Sequence, residues 1–299
     1  MAASPQTAED LGRDEAERTG WLAVVVDFAR RRPLGAIGAA LVLLTAVLAL
    51  TANYVAPYDP LANDYAAMLA APSRAHWLGT DSFGRDLLSR IIFGSRTAMT
   101  VGLSASLIGA ALGSLIGVTS AYFGGRVDLL VQRVMDVFFA FPVIVLALAV
   151  VAILGTGPQN VILAIATPMV PRCARVVRAA ALGVREMPYV DAARASGYGH
   201  SRIILRHMLP NVMAPILIMT TAFLGEAILL EASLSFLGLG VQEPTAAWGL
   251  MLRGAAAEFA ESAPWMAIFP GLAISLAVFG FNLFGDSLRD ALDPRLRTQ

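Results

Sequence analysis

One polar segment, residues 185–210, has the residue types and spacing of a protein docking surface, and we call it the docking loop. Proline suits the first turn of a helix, and glycine suits the left-handed position that follows the last turn. The segment contains Pro188, Gly197 and Pro210 in that order. The spacing predicts a short helix, a glycine break, a second short helix and then a proline stop.

Small and charged side chains share the docking loop. The alanines would leave a smooth surface that a partner protein can approach closely, and the arginines beside them offer ion pairs at its rim. An incidental amphipathic loop is the alternative interpretation. The residues predicted to contact a partner are Asp191, Ala192, Ala193, Arg194, Ala195, Gly197, Arg202, Arg206 and Pro210.

Two acidic residues, Glu226 and Glu231, stand in or beside an apolar run, and both are candidates for a solute path. An ionisable side chain at membrane depth is a functional candidate by default. Glu226 could contact an amino group of a solute; a structural hydrogen bond to a neighbouring helix or a protonated buried acid is equally compatible with the sequence. Glu231 lies about 140° further around a helix, so we expect it nearer the outer mouth, supporting the turn over Leu234–Gly240.

The composition excludes several kinds of chemistry. All 22 basic residues are arginines, and without lysine the chain has neither a Walker A loop nor a Schiff-base nucleophile. The three histidines lack metal-ligand spacing, the single cysteine forms no internal disulfide, and no nucleophile–base set is visible. The formal net charge is zero, so no nucleic-acid partner is indicated. We therefore expect no enzyme activity, and no cofactor or metal in this chain.

The apolar composition indicates a membrane protein. Hydrophobic residues make up 57% and charged residues 15%, against about 45–50% and about 25% in soluble domains. Because a charge at the bilayer centre costs about 3 kcal/mol, charge-free windows mark the membrane spans. Together with the turn at Gly155-Thr156-Gly157-Pro158, which divides the longest window in two, and the apolar run around Glu226, they predict an all-α bundle of six transmembrane helices over 34–56, 97–125, 134–154, 160–180, 211–230 and 265–285.

The second span carries small residues at every fourth position, including Gly109, Gly113 and Gly117. A stripe of this kind lets another helix approach closely in lipid. We expect close helix packing at these glycines, rather than glycine used loosely in an apolar helix.

The arginine distribution predicts the orientation. With both termini in the cytoplasm, 17 arginines fall on the cytoplasmic side and 5 outside, in agreement with the positive-inside rule. The predicted division is a cytoplasmic N-terminal tail with an interfacial helix (1–33), a first transmembrane helix (34–56), an extracytoplasmic loop (57–96), a core of five transmembrane helices (97–288) and a cytoplasmic C-terminal tail (289–299).

The docking loop resembles the EAA motif of ABC importer permeases. That pattern is Glu-Ala-Ala, three residues, Gly, nine residues, usually Ile, one residue and Leu-Pro. Here Asp191-Ala192-Ala193 is followed at that spacing by Gly197 and Leu209-Pro210. Two positions depart from it, since Asp191 replaces Glu and His207 replaces Ile.

Other stretches are similar to the C-type permease of dipeptide and oligopeptide importers, whose relatives include nickel and glutathione importers. These stretches are His76–Asp86, Tyr122–Gly125, Phe138–Pro142, Glu231–Gly240, Trp248-Gly249 and Leu288–Arg295. In the first of them, Asp81, Arg85 and Asp86 could dock a binding protein or cap the helix that enters the second span. We favour the capping interpretation.

The resemblance implies a type I ABC importer permease of the cytoplasmic (inner) membrane that moves short peptides by alternating access. It implies a complex with a B-type permease, one or two ABC ATPases that bind ATP and Mg, and an extracytoplasmic substrate-binding protein. The docking loop would be the coupling helix. Nickel, glutathione and other small solutes are alternatives within the family. An ion-driven secondary transporter is the alternative from another class, and it would call for inverted repeats and a midplane carboxylate site.

Overall fold

The computed structural model describes residue 30 and residues 32–292, and these are mostly helical, without a strand. The α-helices that position the site are α1 (Pro33–Val55), α2 (Leu87–Phe123), α3 (Gly125–Phe139), α4 (Val143–Leu154), α5 (Pro158–Arg185), α6 (Pro188–Ala195), α7 (Met213–Phe236), α8 (Trp248–Glu258) and α9 (Trp265–Leu292). Of these, α1, α2, α5, α7 with the helical turns before it, and α9 are long and apolar enough to cross a membrane. The predicted all-α membrane fold is confirmed. The predicted N-terminal interfacial helix and the end of the C-terminal tail fall outside the described residues.

The predicted third span, 134–154, is not one continuous helix. α3 ends at Phe139 and α4 begins at Val143, with a bend of 92° between them. Pro142 explains the break, because proline disfavours helical backbone at the preceding residue and has no N–H to donate. α4 has 12 residues, which is roughly 18 Å of helix. The described chain therefore has five candidate spans, or six when the bent pair counts as one.

α2 begins at Leu87, ahead of the charge-free window that predicted it. Its 37 residues make roughly 55 Å of helix, well beyond a hydrocarbon core of about 30 Å. Arg90 and Arg96 lie in its first turns, so the charge-free stretch begins only after them, at Thr97. The predicted extracytoplasmic loop 57–96 is therefore shorter than expected at its C-terminal end.

The core of the bundle lies where α2 packs along α5. A Cβ added at Gly113 would lie 2.6 Å from the Cβ of Cys173, and one added at Gly117 would lie 2.5 Å from the carbonyl oxygen of Ala174. Gly109 is equally close to α5. The two backbones approach so closely that these positions have no room for a side chain, which is the arrangement that small-residue stripes permit in lipid.

A helix that the apolar windows did not predict, α8, folds back beside α7 and α9 at the end of the bundle opposite the docking loop. Its first residue, Trp248, lies over Gly94 of α2, and the indole Nε1 donates to the carbonyl oxygen of Ile91 at 2.9 Å. A buried tryptophan needs such a partner for its N–H. This anchor fixes the connection between α7 and α9.

Candidate functional site

The docking loop begins with a short helix whose end is fixed by glycine. α6 has Pro188 in its first turn. At its end, the N–H of Tyr198 donates to the carbonyl oxygen of Ala193 at 3.2 Å, and the N–H of Gly197 donates to that of Arg194 at 3.0 Å. These two bonds form a Schellman motif. Gly197 has φ +74°, a left-handed conformation that is strained for residues with a Cβ.

One face of α6 is turned away from a partner. Val190 and Ala193 are both buried, because positions three apart share a face of a helix. Ala193, which was predicted to belong to the contact surface, therefore packs inward and holds α6 against the bundle. The other predicted contact residues are exposed, namely Asp191, Ala192, Arg194, Ala195, Gly197, Arg202, Arg206 and Pro210.

Aromatic and basic side chains fasten the docking loop to the end of α2. The hydroxyl of Tyr122 lies 2.7 Å from Nδ1 of His200. The guanidinium of Arg194 lies 5.1 Å from the centroid of the Tyr122 ring. Within the loop itself, the guanidinium of Arg202 lies 4.0 Å from the centroid of the Tyr198 ring. Rigid contacts of this kind can transmit a displacement of the loop to α2.

Pro210 does not stop the helix as the sequence predicted. Helical backbone continues from His200 into α7, with a π-helical stretch over Ile203–Met208 and a 3₁₀ turn over Leu209–Val212. These changes of hydrogen-bond register accommodate a proline, which has no N–H to donate. The docking loop is therefore continuous with a membrane-spanning helix.

Three arginines on α5 each pair with an acid on another helix. Arg172 binds Glu226 of α7, and its Nη1 lies 2.5 Å and 2.6 Å from the two carboxylate oxygens. The other two pairs connect α5 to α3 and are Arg175–Asp136 and Arg178–Asp128. Since an isolated charge in or near the bilayer is costly, these pairs explain how α5 carries three arginines at helical spacing.

The pair of Arg172 and Glu226 is only partly buried. Their side chains are 38% and 29% exposed. One helical turn away, Val176 and Ala222 line a cavity of about 670 Å³ between α5, α7 and α9. The pair therefore offers one positive and one negative group close to an open space. The sequence singled out Glu226 but not its partner, whose only signal was a charge at the edge of an apolar window.

Glu231, by contrast, is 1% exposed. Its Oε1 accepts a hydrogen bond from the hydroxyl of Ser235 at 2.7 Å, and that hydroxyl oxygen accepts one from the N–H of Val241 at 3.1 Å. The carboxylate thus supports the turn after α7 and has little surface to offer a solute.

An ionic cluster joins the loop before α2 to the loop after α7. Nε of Arg85 donates to Asp81 at 2.6 Å, and its Nη1 donates to Glu243 at 2.9 Å. Arg90, which is 1% exposed, also lies 3.5 Å from Glu243. Burial disfavours the charged form of Arg85, but hydrogen bonds and charge interactions with Glu243 and Asp81 outweigh it and raise the pKa of Arg85. The two loops are therefore held together by hydrogen bonds and charge attraction within this cluster. Sequence reasoning missed Glu243 and Arg90, since nothing in their spacing links them.

Asp86 caps α2. Its Oδ2 accepts a hydrogen bond from the backbone N–H of Ser89 at 2.8 Å, and its Oδ1 lies 2.9 Å from Nδ1 of His76. An acidic N-cap satisfies one of the free N–H groups of a helix start. Asp86 is thus a cap, while Asp81 and Arg85 belong to the ionic cluster.

The described part of the chain combines long apolar helices, ion pairs between membrane helices and a rigid docking loop. This combination defines a polytopic membrane protein. The chain belongs to the family described as "Binding-protein-dependent transport system inner membrane component", whose model matches residues 109–298. It is a multi-pass protein of the inner membrane.

Curated relatives are similar over most of the chain. The glutathione transport system permease protein GsiD of Pectobacterium atrosepticum is 43% identical over 287 residues, covering 96% of this chain and 95% of the relative. A putative peptide transport system permease protein of Brucella suis biovar 1 is 42% identical over 269 residues, 90% of each chain. The dipeptide transport system permease protein DppC of Alkalihalophilus pseudofirmus is 46% identical over 230 residues, 77% of this chain and 75% of the relative. The relatives are transport permeases, which are not enzymes.

Solved structures share the fold. The inward-facing MetNI methionine ABC transporter matches with a TM-score of 0.54 at 17% identity, covering 68% of this chain and 96% of the matched chain. A second crystal form of that transporter matches with a TM-score of 0.50 at 20% identity, covering 69% and 96%. This likeness concerns the fold alone, and it agrees with the helical bundle described above.

Proposed function

We propose that the chain is the C-type permease subunit of an ABC importer that moves short peptides into the cytoplasm by alternating access. The observation that carries this proposal is the docking loop, an exposed segment whose second half runs from His200 as continuous helical backbone into the membrane-spanning helix α7. The names of the relatives support peptides or glutathione as the solute.

On this proposal the docking loop sits in a groove of an ABC ATPase. One or two ATPase chains bind ATP and Mg, a B-type permease completes the pathway, and an extracytoplasmic binding protein delivers the solute. The chain itself has no lysine for a Walker A loop. Coupling requires ATP and the solute to prefer different states of the bundle. The loop's contacts with α2 and α7 offer a route for that coupling.

We place Glu226 and Arg172 on the solute path. A short peptide carries an ammonium group at one end and a carboxylate at the other. The partly exposed pair presents the complementary charges, 2.5 Å apart at their closest atoms. Glu231 is the weaker candidate, because its carboxylate is buried beneath the turn that it supports.

Uptake into proteoliposomes tests the proposal. The liposomes would contain this chain with the permease and ATPase chains encoded beside it, and the binding protein would be added outside. We expect ATP trapped inside to drive accumulation of a labelled dipeptide, and ionophores to leave it unchanged. Accumulation that needs an ion gradient but no ATP would point to a secondary transporter. ATP-driven uptake of Ni²⁺ or glutathione, but not of the dipeptide, would support the assignment as an importer permease and show that the proposed solute is wrong.

The proposed orientation has its own test, because Cys173, the single cysteine, is 0% exposed. Ser201→Cys places a thiol in the docking loop, and Ala71→Cys places one in the loop before α2; both positions are exposed. We expect an impermeant maleimide to label Ala71→Cys on intact spheroplasts, and Ser201→Cys only after the membrane is opened. The wild-type chain is the unlabelled control. The reverse pattern would show the docking loop outside.

A further inference from the structure

An arginine with no acidic partner among the described residues lies between α1 and α2, near the end of α1 opposite the docking loop. Nε of Arg96 donates to the carbonyl oxygen of Ala49 at 3.1 Å, and its Nη1 donates to Oδ1 of Asn53 at 3.3 Å. Its guanidinium also lies 5.3 Å from the centroid of the Phe93 ring. These partners are neutral and use two of the five N–H groups of an arginine. Arg96 therefore forms no ion pair with another described residue.

The apolar pattern puts Arg96 at the expected boundary between membrane and water. It is the last charged residue before the charge-free stretch that begins at Thr97, and it reaches Asn53 in the last turn of α1. Basic side chains at such positions extend to the level of the lipid headgroups. The guanidinium is thus placed where phosphodiester groups lie.

Two cavities meet at Arg96. The first has a volume of about 640 Å³ and is lined by several polar side chains, among them Asn53, Asp59, Arg96, Thr97 and Thr245. The second, of about 350 Å³, lies between α1 and α2 and is mainly apolar; it is lined by Ala46, Ala49, Leu50, Arg96, Met99, Thr100 and Leu103. A cavity with polar side chains in its wall, a cation and an apolar groove thus adjoin one another between α1 and α2.

We propose that this composite cavity binds one glycerophospholipid, with its phosphodiester on Arg96 and one acyl chain in the groove between α1 and α2. A phosphate accepts charge-assisted hydrogen bonds from a guanidinium, and the groove supplies the apolar contact that an acyl chain needs. Asp59 is among the residues that line the first cavity, and a carboxylate there suits a headgroup with an amine, so phosphatidylethanolamine is the probe. The proposal requires only the membrane fold and stands apart from the transport function.

Native mass spectrometry of the delipidated chain, titrated with phosphatidylethanolamine, tests the proposal. We expect one saturable lipid adduct, bound about tenfold more weakly by Arg96→Gln, as for the loss of a charge-assisted hydrogen bond. Arg74→Gln makes the same charge change at an exposed loop position and is expected to bind like the wild type.

A second pair of variants fills the groove without changing charge. Thr100→Phe lies in the apolar cavity at an exposed position and is expected to lose the adduct. Leu107→Phe changes a residue of the same helix that is 57% exposed and outside the cavity, and should retain it. This pair keeps the test decisive if Arg96→Gln fails to fold, since Arg96 also contacts α1. Equal lipid binding by wild type and Thr100→Phe would overturn the proposal. Displacement of the lipid by millimolar inorganic phosphate would also overturn it, showing a free-anion site.

Discussion

Replacing Gly113 by alanine is expected to destabilise the chain by about 1–3 kcal/mol, the usual cost of overpacking. The added Cβ would lie 2.6 Å from the Cβ of Cys173 and 2.7 Å from the carbonyl oxygen of Val170. Neither neighbour is the flexible end of a side chain, so α2 and α5 must move apart. Gly113→Leu should prevent the chain from accumulating. Size-exclusion chromatography of heated samples in detergent measures the shift in unfolding temperature.

Gly183→Ala is the matched control for this prediction. Gly183 lies on α5, and nothing is within 4 Å of a Cβ added there. Alanine has a helix propensity better than that of glycine by about 1 kcal/mol, so stability should stay the same or rise. If Gly113→Ala and Gly183→Ala unfold at the same temperature, the account of close packing along the glycine stripe is wrong.

Separating Arg172 from Glu226 is expected to have the second large effect. Arg172→Gln and Glu226→Gln each leave one charge unpaired between membrane helices, whereas the double variant leaves none. We therefore expect each single variant to be less stable than the double variant, with a coupling energy of about 1–3 kcal/mol. A double-mutant cycle on unfolding temperature, combined with dipeptide uptake, measures both roles of the pair.

Uptake separates a solute contact from a purely structural ion pair. On the proposed path, the double variant recovers stability but still takes up dipeptide slowly, with a raised KM. Recovery of uptake together with stability would assign the pair to structure alone. Arg175 and Asp136 form a control pair whose side chains are 49% and 47% exposed. The coupling energy between the two neutralising substitutions should be about 0–1 kcal/mol, as for other exposed ion pairs.

The apolar stretches of the sequence were sufficient to predict the membrane helices, but not where all of them begin and break. Largely apolar runs located α1, α5, α7 and α9, because a membrane span must avoid unpaired charge. They failed at the start of α2, where Arg90 is buried against Glu243, more than a hundred residues away in sequence. An ion pair between distant parts of the chain offsets the cost of burying the charge of Arg90. A helix can therefore begin before the charge-free stretch does. The apolar runs also failed to predict the bend at Pro142, where the effect of proline on the local backbone outweighs the apolar character of the sequence.

The candidate site, like the fold, could be predicted only where local sequence determines the structure. The position of Gly197 follows from local turn chemistry, which a sequence displays directly. The inward direction of Ala193 depends on which face of α6 meets the bundle, and the partner of Glu226 depends on how α5 packs against α7. Both features are set by packing between distant parts of the chain, and nearby residues in the sequence do not determine them. At Pro210 the local sequence predicts that the helix stops, but helical backbone continues into α7.

Co-purification of the ATPase chains tests the central claim most directly. The wild-type chain, Gly197→Arg and Gly254→Arg would each be co-expressed with the neighbouring ATPases and purified in mild detergent. Gly254 is exposed on α8, at the far end of the bundle, and has open space around it, so its variant is a matched control for charge and size. We predict that the ATPases are retained by wild type and Gly254→Arg and lost with Gly197→Arg, while all three membrane proteins accumulate. ATPases that stay bound to Gly197→Arg, or that never bind a well-folded wild type, would contradict the assignment of the docking loop as the coupling element.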